Sequence, residues 1–359
     1  MAETPRMPAT DQPDAKPLIS VVILNYNGAK WIERCLLSLH QQTIFPRLEI
    51  IVADNLSSDG SDLLAEKMLR DWPNGRFVQN GSNLGFCEGN NRGVLPATGH
   101  YLFFLNNDTW LEPDCLEVLL RETERMKADA ATPLVMNFDD DSFQSLGAAG
   151  FDIFGLASSR LQHTDTREVL MPEGCSFLIR RTLFETLGKF DAEFFMFGDE
   201  LDLAWRLWIA SGRAVAVPSA RMHHRGAPNV NPRGGGAVVE MRTSDAKRFY
   251  ANRNSLMIIL KSGRNVLLLL AVMMAGLFLL EALVMLVLIR RWSFIRRSYL
   301  GAFADCWRLR HHVCAERRRI RQFRRRSDWW MLRFFRLRLN RWDEIQRLRQ
   351  LGIPKVTPG

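Results

Sequence analysis

Residues 18–28 read LISVVILNYNG, and the fold turns on them. The run is rich in β-branched residues (Ile19, Val21, Val22, Ile23) and stays apolar through Leu24 instead of alternating, as a strand buried on both faces does. It stops at Asn25-Tyr26-Asn27-Gly28, and a helix is predicted over 29–42 with Ile32, Cys35, Leu36 and Leu39 on one face. The same rhythm then repeats outward. Strands are predicted over 48–53 (LEIIVA), 77–79 and 101–105 (YLFFL), and helices over 61–70, 86–95 and 115–126, the last introduced by Pro113 at its first turn. This alternation predicts an α/β protein with a Rossmann-like, mostly parallel sheet and helices on both faces. After residue 130 the rhythm breaks. Short strands are expected over 132–136, 176–179 and 214–217, helices over 181–187, 200–210 and 244–261, and a Gly-rich loop over 228–236.

Each early strand ends in a polar cluster. Asn25, Tyr26, Asn27 and Gly28 follow the first, and Asp54, Asn55, Ser57, Ser58 and Asp59 the second. Asn83, Gly85, Gly89, Asn90 and Asn91 surround the start of the third helix, and Asn106, Asn107 and Asp108 close the fourth strand. One such cluster is ordinary turn chemistry. Four in register predict a shared ligand pocket beyond the strand ends.

Taken in order, SVVILNYNGAKWIERCLLSL, VADNLSSDGS, NLGFCEGNNRG and FFLNNDTWLEP resemble successive signatures of the family 2 glycosyltransferases, which have the GT-A fold. The nearest pattern is that of bacterial rhamnosyltransferase-like enzymes of cell-surface polysaccharide synthesis, and the match runs over roughly 18–260. The resemblance implies a nucleotide-sugar pocket formed by Asn25, Asn27, Asp54, Asn55, Asn83, Gly85, Asn90, Asn106 and Asn107, with Asp54 on the base. It also implies that Asn106-Asn107-Asp108 takes the place of a DxD element, leaving Asp108 as the carboxylate for a divalent cation, Mg²⁺ or Mn²⁺. Such an ion offsets the charge that a departing diphosphate gathers. A second protein ligand is implied in Met222-His223-His224-Arg225-Gly226; His223 is favoured on position, with His224 as the alternative. An imidazole ligand tilts the choice towards Mn²⁺.

Residues 194–207, FFMFGDELDLAWRL, place three acids at the start of a helix. Taken alone, such acids only complement the helix dipole. The segment resembles the family's ED-x-D-L-x-x-R element, whose second acid deprotonates the acceptor hydroxyl. That implies Glu200 as general base, Asp199 as runner-up, and inversion at the anomeric carbon. Asp202 and Arg206 are spaced to pair across one turn as scaffolding. Glu173-Gly174-Cys175-Ser176 resembles the acceptor-side glycine turn.

The net charge of +9 is uneven: residues 290–349 hold 19 arginines against five acids, which leaves residues 1–289 slightly acidic. Residues 266–289 carry one ionisable side chain, Glu281, and are long enough to cross a bilayer. The tail over 290–350 mixes arginine with Trp329, Trp330, Phe334, Phe335, Leu337 and Trp342, the composition of helices lying among headgroups. These features divide the chain into a polar leader (1–17), a nucleotide-sugar domain (18–250) and a membrane-associated helical region (251–359). A simple span would carry the arginines away from a cytoplasmic catalytic domain, against the positive-inside rule, so a re-entrant or strongly tilted 266–289 segment is the favoured expectation. Glu281 should then face protein, water or an arginine. Six scattered cysteines with no CxxC pair point to reduced, structural thiols.

The expectation from sequence is a transferase at the bacterial inner membrane, its catalytic domain facing the cytoplasm, that moves a sugar to a lipid-linked saccharide. The missing Q-x-x-R-W element and the single long apolar segment favour addition of one or a few sugars over processive synthesis. A nucleic-acid-binding reading of the Arg/Trp tail leaves the strand-end clusters unexplained, and no nucleic-acid partner is expected. A non-catalytic scaffold on a transferase fold sits poorly with Asp108, Glu200 and His223.

Overall fold

The computed structural model describes residues 17–158, 163–226, 242–337, 339 and 341–357. The leader expected over 1–17, apart from Pro17, lies outside the described residues, as does the loop expected over 228–236.

Four parallel strands form the nucleus: β1 (Ile19–Asn25), β2 (Leu48–Asp54), β3 (Gly75–Gln79) and β4 (Tyr101–Asn106). They are joined by α1 (Ile32–His40), α2 (Ser61–Arg70) and α3 (Gly85–Gly93). Register aligns their ends: Asn25 pairs with Asp54, Asp54 with Gln79, and Leu24 with Asn106. The polar clusters therefore form one row along the C-terminal edge of the sheet, where a ligand of an open α/β sheet binds.

Beyond β4 come β5 (Thr109–Leu111), α4 (Cys115–Arg125), β6 (Ala130–Asn137), β7 (Phe143–Ser145), and the short β8 (Gly150–Phe151), β9 (Ala157–Ser158) and β10 (Arg167–Glu168). They are followed by β11 (Ser176–Arg180), α5 (Arg181–Thr186), α6 (Asp199–Ile209) and β12 (Ala214–His224). The main sheet runs β10-β12-β6-β11-β4-β1-β2-β3, with β5 beside β12 and β7 beside β6. β11 is antiparallel to both β4 and β6, and β5, β7 and β10 are antiparallel to their partners. The expected mostly parallel sheet is thus correct for β1–β4 and is replaced by a mixed sheet overall. A strand buried on both faces reads as an apolar run whichever way it points, so the residues of β11 carry no sign of direction. β12 was expected to end at 217. It continues past a register shift between Val217 and Arg221, beside Pro218, and this second half carries the histidines to β5.

Side chains split between the two faces of the sheet. Ile19, Val21 and Ile23 join Leu36, Leu116 and Leu119 on one side, while Val22, Leu102 and Phe104 join α3, α5 and α6 on the other. The second core continues into α7 (Asp245–Ser262), α8 (Val266–Ile289) and the tail helices α9 (Trp292–Ile295), α10 (Gly301–Arg308), α11 (Arg310–Phe323), α12 (Asp328–Met331) and α13 (Arg341–Leu351). Here the expectation for the tail is corrected in part. Met331 and Phe334 are buried, and Trp208 of α6 packs on Trp330 and Phe334, so these aromatics are core rather than headgroup contacts. Trp292, Trp307, Trp329 and Trp342 remain exposed.

α8 is long and apolar enough to cross a membrane. Leu267, Leu270, Met274, Phe278 and Ala282 lie buried against the protein, while Leu269, Val272, Leu279, Leu280, Leu283 and Val287 form an exposed stripe. Glu281 meets the Arg341 guanidinium at 2.5 Å, as its depth in an apolar helix requires.

Candidate active site

The strand-end asparagines chiefly hold one another. The Asn25 amide donates to Asp54 (2.8 Å) and Ser61 (2.9 Å), and its carbonyl accepts from Asn107 (2.8 Å). A side chain on Gly28 would lie 2.2 Å from the Asn107 amide nitrogen and 2.5 Å from the Asn25 oxygen, which is why the turn after β1 needs glycine. Asp54 is fully buried and takes donors on both oxygens: Asn25 and the Ser57 hydroxyl on one, the Ser57 N–H and Gln79 on the other. Asn55 bridges Asn80, Asn83 and the Gly85 carbonyl, and buried Asn90 bonds the Phe86 carbonyl within its helix. Gly85 has φ of +73° and would clash with the Phe195 ring if it carried a Cβ. The expectation that Asn25, Asp54 and Asn55 touch the nucleotide is therefore revised: their side chains hold the loops in place, whereas Asn90 commits only its amide nitrogen. Asn27 and Asn83 are exposed and Asn106, Asn107 and Asp108 half-buried, so these keep surface for a ligand. Tyr26 (48% exposed), a member of the first cluster, and Leu56 (55% exposed), which the residue patterns did not single out, lie in the same loops.

The two histidines separate by strand alternation. His224 Nε2 lies 3.4 Å from the Asp108 carboxylate. Its Nδ1 sits 2.8 Å from Gln144 Oε1, while the Gln144 amide nitrogen donates to Asn137 and to the His224 carbonyl. That arrangement leaves Gln144 Oε1 as acceptor and puts a proton on Nδ1. Against burial, the Cys175 thiol and the Asp108 carboxylate raise the imidazole well above its usual range, so Nε2 also carries a proton, directed at Asp108. A cation that displaced this Nε2 proton would find a carboxylate and an imidazole as a fitting pair of ligands, with Nδ1 held by Gln144 as metal-bound histidines ordinarily are held. His223 points the other way. It stacks on Trp110 at 3.6 Å and 2°, near Asp141 (3.1 Å) and Glu112, with Arg34 over the same indole. The positional preference for His223 thus gives way to His224. Among the described residues no group of three or more His, Cys, Asp or Glu is gathered as a metal site.

Asp199 and Glu200 occupy the first turn of α6, after Gly198 at φ +77°. Glu200 lies against Gly174, where any Cβ would sit 3.2 Å from the carboxyl carbon. Gly174 is followed by Cys175, whose carbonyl accepts from the Asn106 N–H (2.9 Å) and whose thiol neighbours His224, so the acids and the Asp108–His224 pair share one wall. Burial raises both carboxyls. The Glu200 charge and hydrogen bond lift Asp199 well above the usual range, whereas the same bond opposes the rise of Glu200. The shared bond thus adds to the rise of Asp199 and works against that of Glu200, and the two acids titrate as a pair.

The loop before these acids is backbone-strained, with Phe195 at φ +59° and Phe197 at +66°. It is held from α7. The Asn254 amide nitrogen converges on the carbonyls of Phe194 (3.0 Å), Met196 (2.8 Å) and Phe197 (2.7 Å), and Arg253 reaches the carbonyls of Glu193 and Phe194. Asp202 and Arg206 pair as the spacing predicted, at 2.7 Å and fully buried. They belong to a larger network: Lys261 contacts Asp202 (3.0 Å) and Asp191, and His312 of α11 contacts Asp191 (3.0 Å). The motifs did not reach Gln144, Asn254, Lys261 or His312. A buried polar residue in an otherwise apolar helix stretch, as at Asn254 and Lys261, was the one available signal.

The glycosyl transferase family 2 model matches residues 20–188. Over 239 residues the chain is 28% identical to the N-acetylglucosaminyl-diphospho-decaprenol L-rhamnosyltransferase of Mycobacterium tuberculosis, covering 58% of this chain and 76% of that protein. Among solved structures, S. aureus TarS 1–349 superposes with a TM-score of 0.54 at 17% identity, over 85% of this chain and 90% of that one. The mannosyltransferase PcManGT from Pyrobaculum calidifontis, in complex with GDP-Man and Mn²⁺, superposes with a TM-score of 0.51 at 16% identity, over 82% and 88%. These two likenesses speak for the fold. With the aligned strand ends and the Asp108–His224 pair set beside the family match, residues 20–188 are a glycosyl transferase family 2 domain.

Proposed function

We propose that the protein transfers a sugar, rhamnose being the first candidate, from a nucleoside-diphosphate donor to a lipid-linked saccharide acceptor with inversion at the anomeric carbon. The observation that carries this reading is Glu200, ionisable and set against Gly174 on the wall shared with Asp108 and His224. In this reading Glu200 takes the acceptor proton as the hydroxyl attacks, in a single displacement. Asn27, Asn83, Asn106 and Asn107 hold the donor in the loops that Asn25, Asp54 and Asn55 fix. Asp108 and His224 hold a divalent cation, Mn²⁺ or Mg²⁺, which when bound offsets charge on the diphosphate. Two protein ligands are few, so donor phosphate and water complete the set. The lipid-linked acceptor and rhamnose are supported by the mycobacterial relative. Contact with a membrane is supported by the exposed stripe of α8, and the cytoplasmic face of the inner membrane is the side this reading assigns to it.

The test is turnover of a panel of dTDP-, UDP- and GDP-sugars by wild type and Glu200→Gln. Transfer from one donor, lost in the variant and restored by no metal, is expected. Equal turnover by Glu200→Gln would remove Glu200 as the base, and no turnover with any donor would sink the enzymatic reading.

A further inference from the structure

A second basic feature lies at the far end of α6 from Glu200. A cavity of about 620 Å³ is lined by Arg264, Arg321, Arg324, Arg325, Arg326 and Trp329. α6 is 11 residues long, so the cavity stands roughly 16 Å along the helix from the proposed base and is not part of that site. Its one acid, Asp328, is already committed. One oxygen accepts the N–H groups of Arg264, Asn265 and Leu267 at the start of α8, and the other lies 3.2 Å from Arg324. Arg324 also bonds the Ser262 carbonyl, and Arg326 bonds Trp208 and Gly212 carbonyls while covering the Trp330 ring. The side chains of Arg264, Arg321 and Arg325 are exposed and have no partner among the described residues. Three unpaired guanidiniums around an open cavity repel one another unless an anion sits between them.

The chemistry around the cavity names the anion's source. It opens at the N-terminus of α8, where the exposed stripe begins at Leu269 and Val272, with exposed Trp329 at its rim. A cationic recess continuous with an apolar stripe fits an amphiphile with a phosphate head and an acyl chain. The placement of α8 agrees. Midway along it, the Met274 methyl would lie 3.1 Å from a Cβ built on Gly155, so the middle of the helix rests on the catalytic fold instead of lying free in a bilayer centre. Basic residues stand at both ends, Arg264 and Arg321 at one and Arg290, Arg291, Arg296 and Arg297 at the other. The positive-inside rule is met if both ends touch the same leaflet.

We propose that this cavity binds the phosphate of an anionic phospholipid whose acyl chain lies along the exposed stripe of α8, with the helix in the plane of one leaflet. The inference rests on the membrane contact proposed above. The test is flotation of the full chain with vesicles of phosphatidylcholine, alone or mixed with phosphatidylglycerol, using wild type, Arg264→Gln/Arg321→Gln/Arg325→Gln, and a charge-matched control, Arg47→Gln/Arg70→Gln/Arg121→Gln, on the opposite side of the sheet. Wild type and control should prefer the phosphatidylglycerol vesicles. The cavity variant should lose affinity for them on the order of 100-fold, about fivefold per arginine, and keep its affinity for phosphatidylcholine. An equal loss in the control, or an undiminished preference in the cavity variant, would overturn the site. Glycerol 1-phosphate binding in solution as tightly as the vesicles do would overturn the lipid as its source. Failure of wild type to float on either vesicle would overturn the membrane reading itself.

Discussion

Glu200 and Asp199 have the same charge type and adjacent places in one helical turn, yet burial and their mutual bond make them unequal. In the proposed reaction Glu200 must be ionised to accept a proton, and its raised pKa shifts the acid limb of kcat/KM above the usual carboxylate range. Glu200→Gln should lower kcat by roughly 10²–10⁴-fold, the worth of a general base, measured by donor turnover at saturating acceptor. Asp199 gives a separate stability prediction. Its folded pKa is raised, so the folded chain binds more protons than the unfolded chain between the unfolded value and the raised one. Stability is lost as pH climbs through that window. Asp199→Asn should therefore raise Tm at neutral pH, with the gain vanishing in acid below the unfolded carboxyl pKa; a pH series of melting curves reads this out. The histidines divide just as cleanly. His224→Ala should abolish the effect of added Mn²⁺ on donor binding, whereas His223→Ala should leave that effect and lower Tm by loosening the Trp110 stack. Equal metal effects in both variants would return the ligand assignment to an open choice.

At the scale of elements, the sequence was most legible where one physical rule acts alone. α2 and α8 fall on the predicted residues, and β1, β2 and β4 differ from prediction by one residue at an end, because apolar period and flanking breakers decide them. β11 was located but its direction was not, since a doubly buried strand has no polar side to orient it. β5 and the second half of β12 were missed: a three-residue strand and a bulge beside Pro218 carry too little pattern. The site shows the same division. Residue types marked the pocket, but an asparagine that binds a ligand and one that binds another asparagine are spelled alike, and only packing separates Asn27 from Asn25. Asn254 shows what a long-range partner adds. It reaches three carbonyls of the strained 194–197 loop from a helix some 60 residues later. Asn254→Leu removes that donor from the Met196 and Phe197 carbonyls, while the Phe194 carbonyl keeps Arg253; each carbonyl that water does not reach costs about 1–3 kcal/mol. The outcome expected is a kcat fall of roughly tenfold or more, larger than any rise in donor KM, since α6 follows this loop directly while the donor loops meet it only where Phe195 touches Gly85–Cys87. A matching rise in donor KM would show that the loop serves the donor pocket instead.

Catalytic fold and tail share one interior: the core beneath α6 continues into the tail helices, and a buried charge network crosses the same boundary. Asp191 sits between Lys261 of α7 and His312 of α11, with Asp202 and Arg206 beyond. Burial penalises the Asp191 charge, but His312 and Lys261 more than offset it and hold the carboxyl well below its usual range. Its contribution to stability is present above the unfolded carboxyl pKa and is lost as pH falls. His312 is raised by Asp191, against burial, so its contribution is complete below the unfolded imidazole pKa and is lost as pH rises through the raised value. The tail should therefore clamp the catalytic fold most firmly in mildly acidic solution, between those two losses. His312→Gln tests this. It removes the charge-assisted bond, worth about 1.5–3 kcal/mol, while Lys261 still compensates Asp191. The Tm deficit of the variant should be largest near the unfolded imidazole pKa and shrink in alkaline solution, where the wild-type imidazole is neutral as well. Lys261→Met is the harsher change, because it removes the fully buried cation that Asp191 and Asp202 share and leaves each with one partner, His312 or Arg206, and roughly 3–5 kcal/mol should be lost at neutral pH. A His312→Gln deficit that stayed constant from acid to alkali would mean that α11 is held by its apolar contacts alone, and the clamp would not be electrostatic.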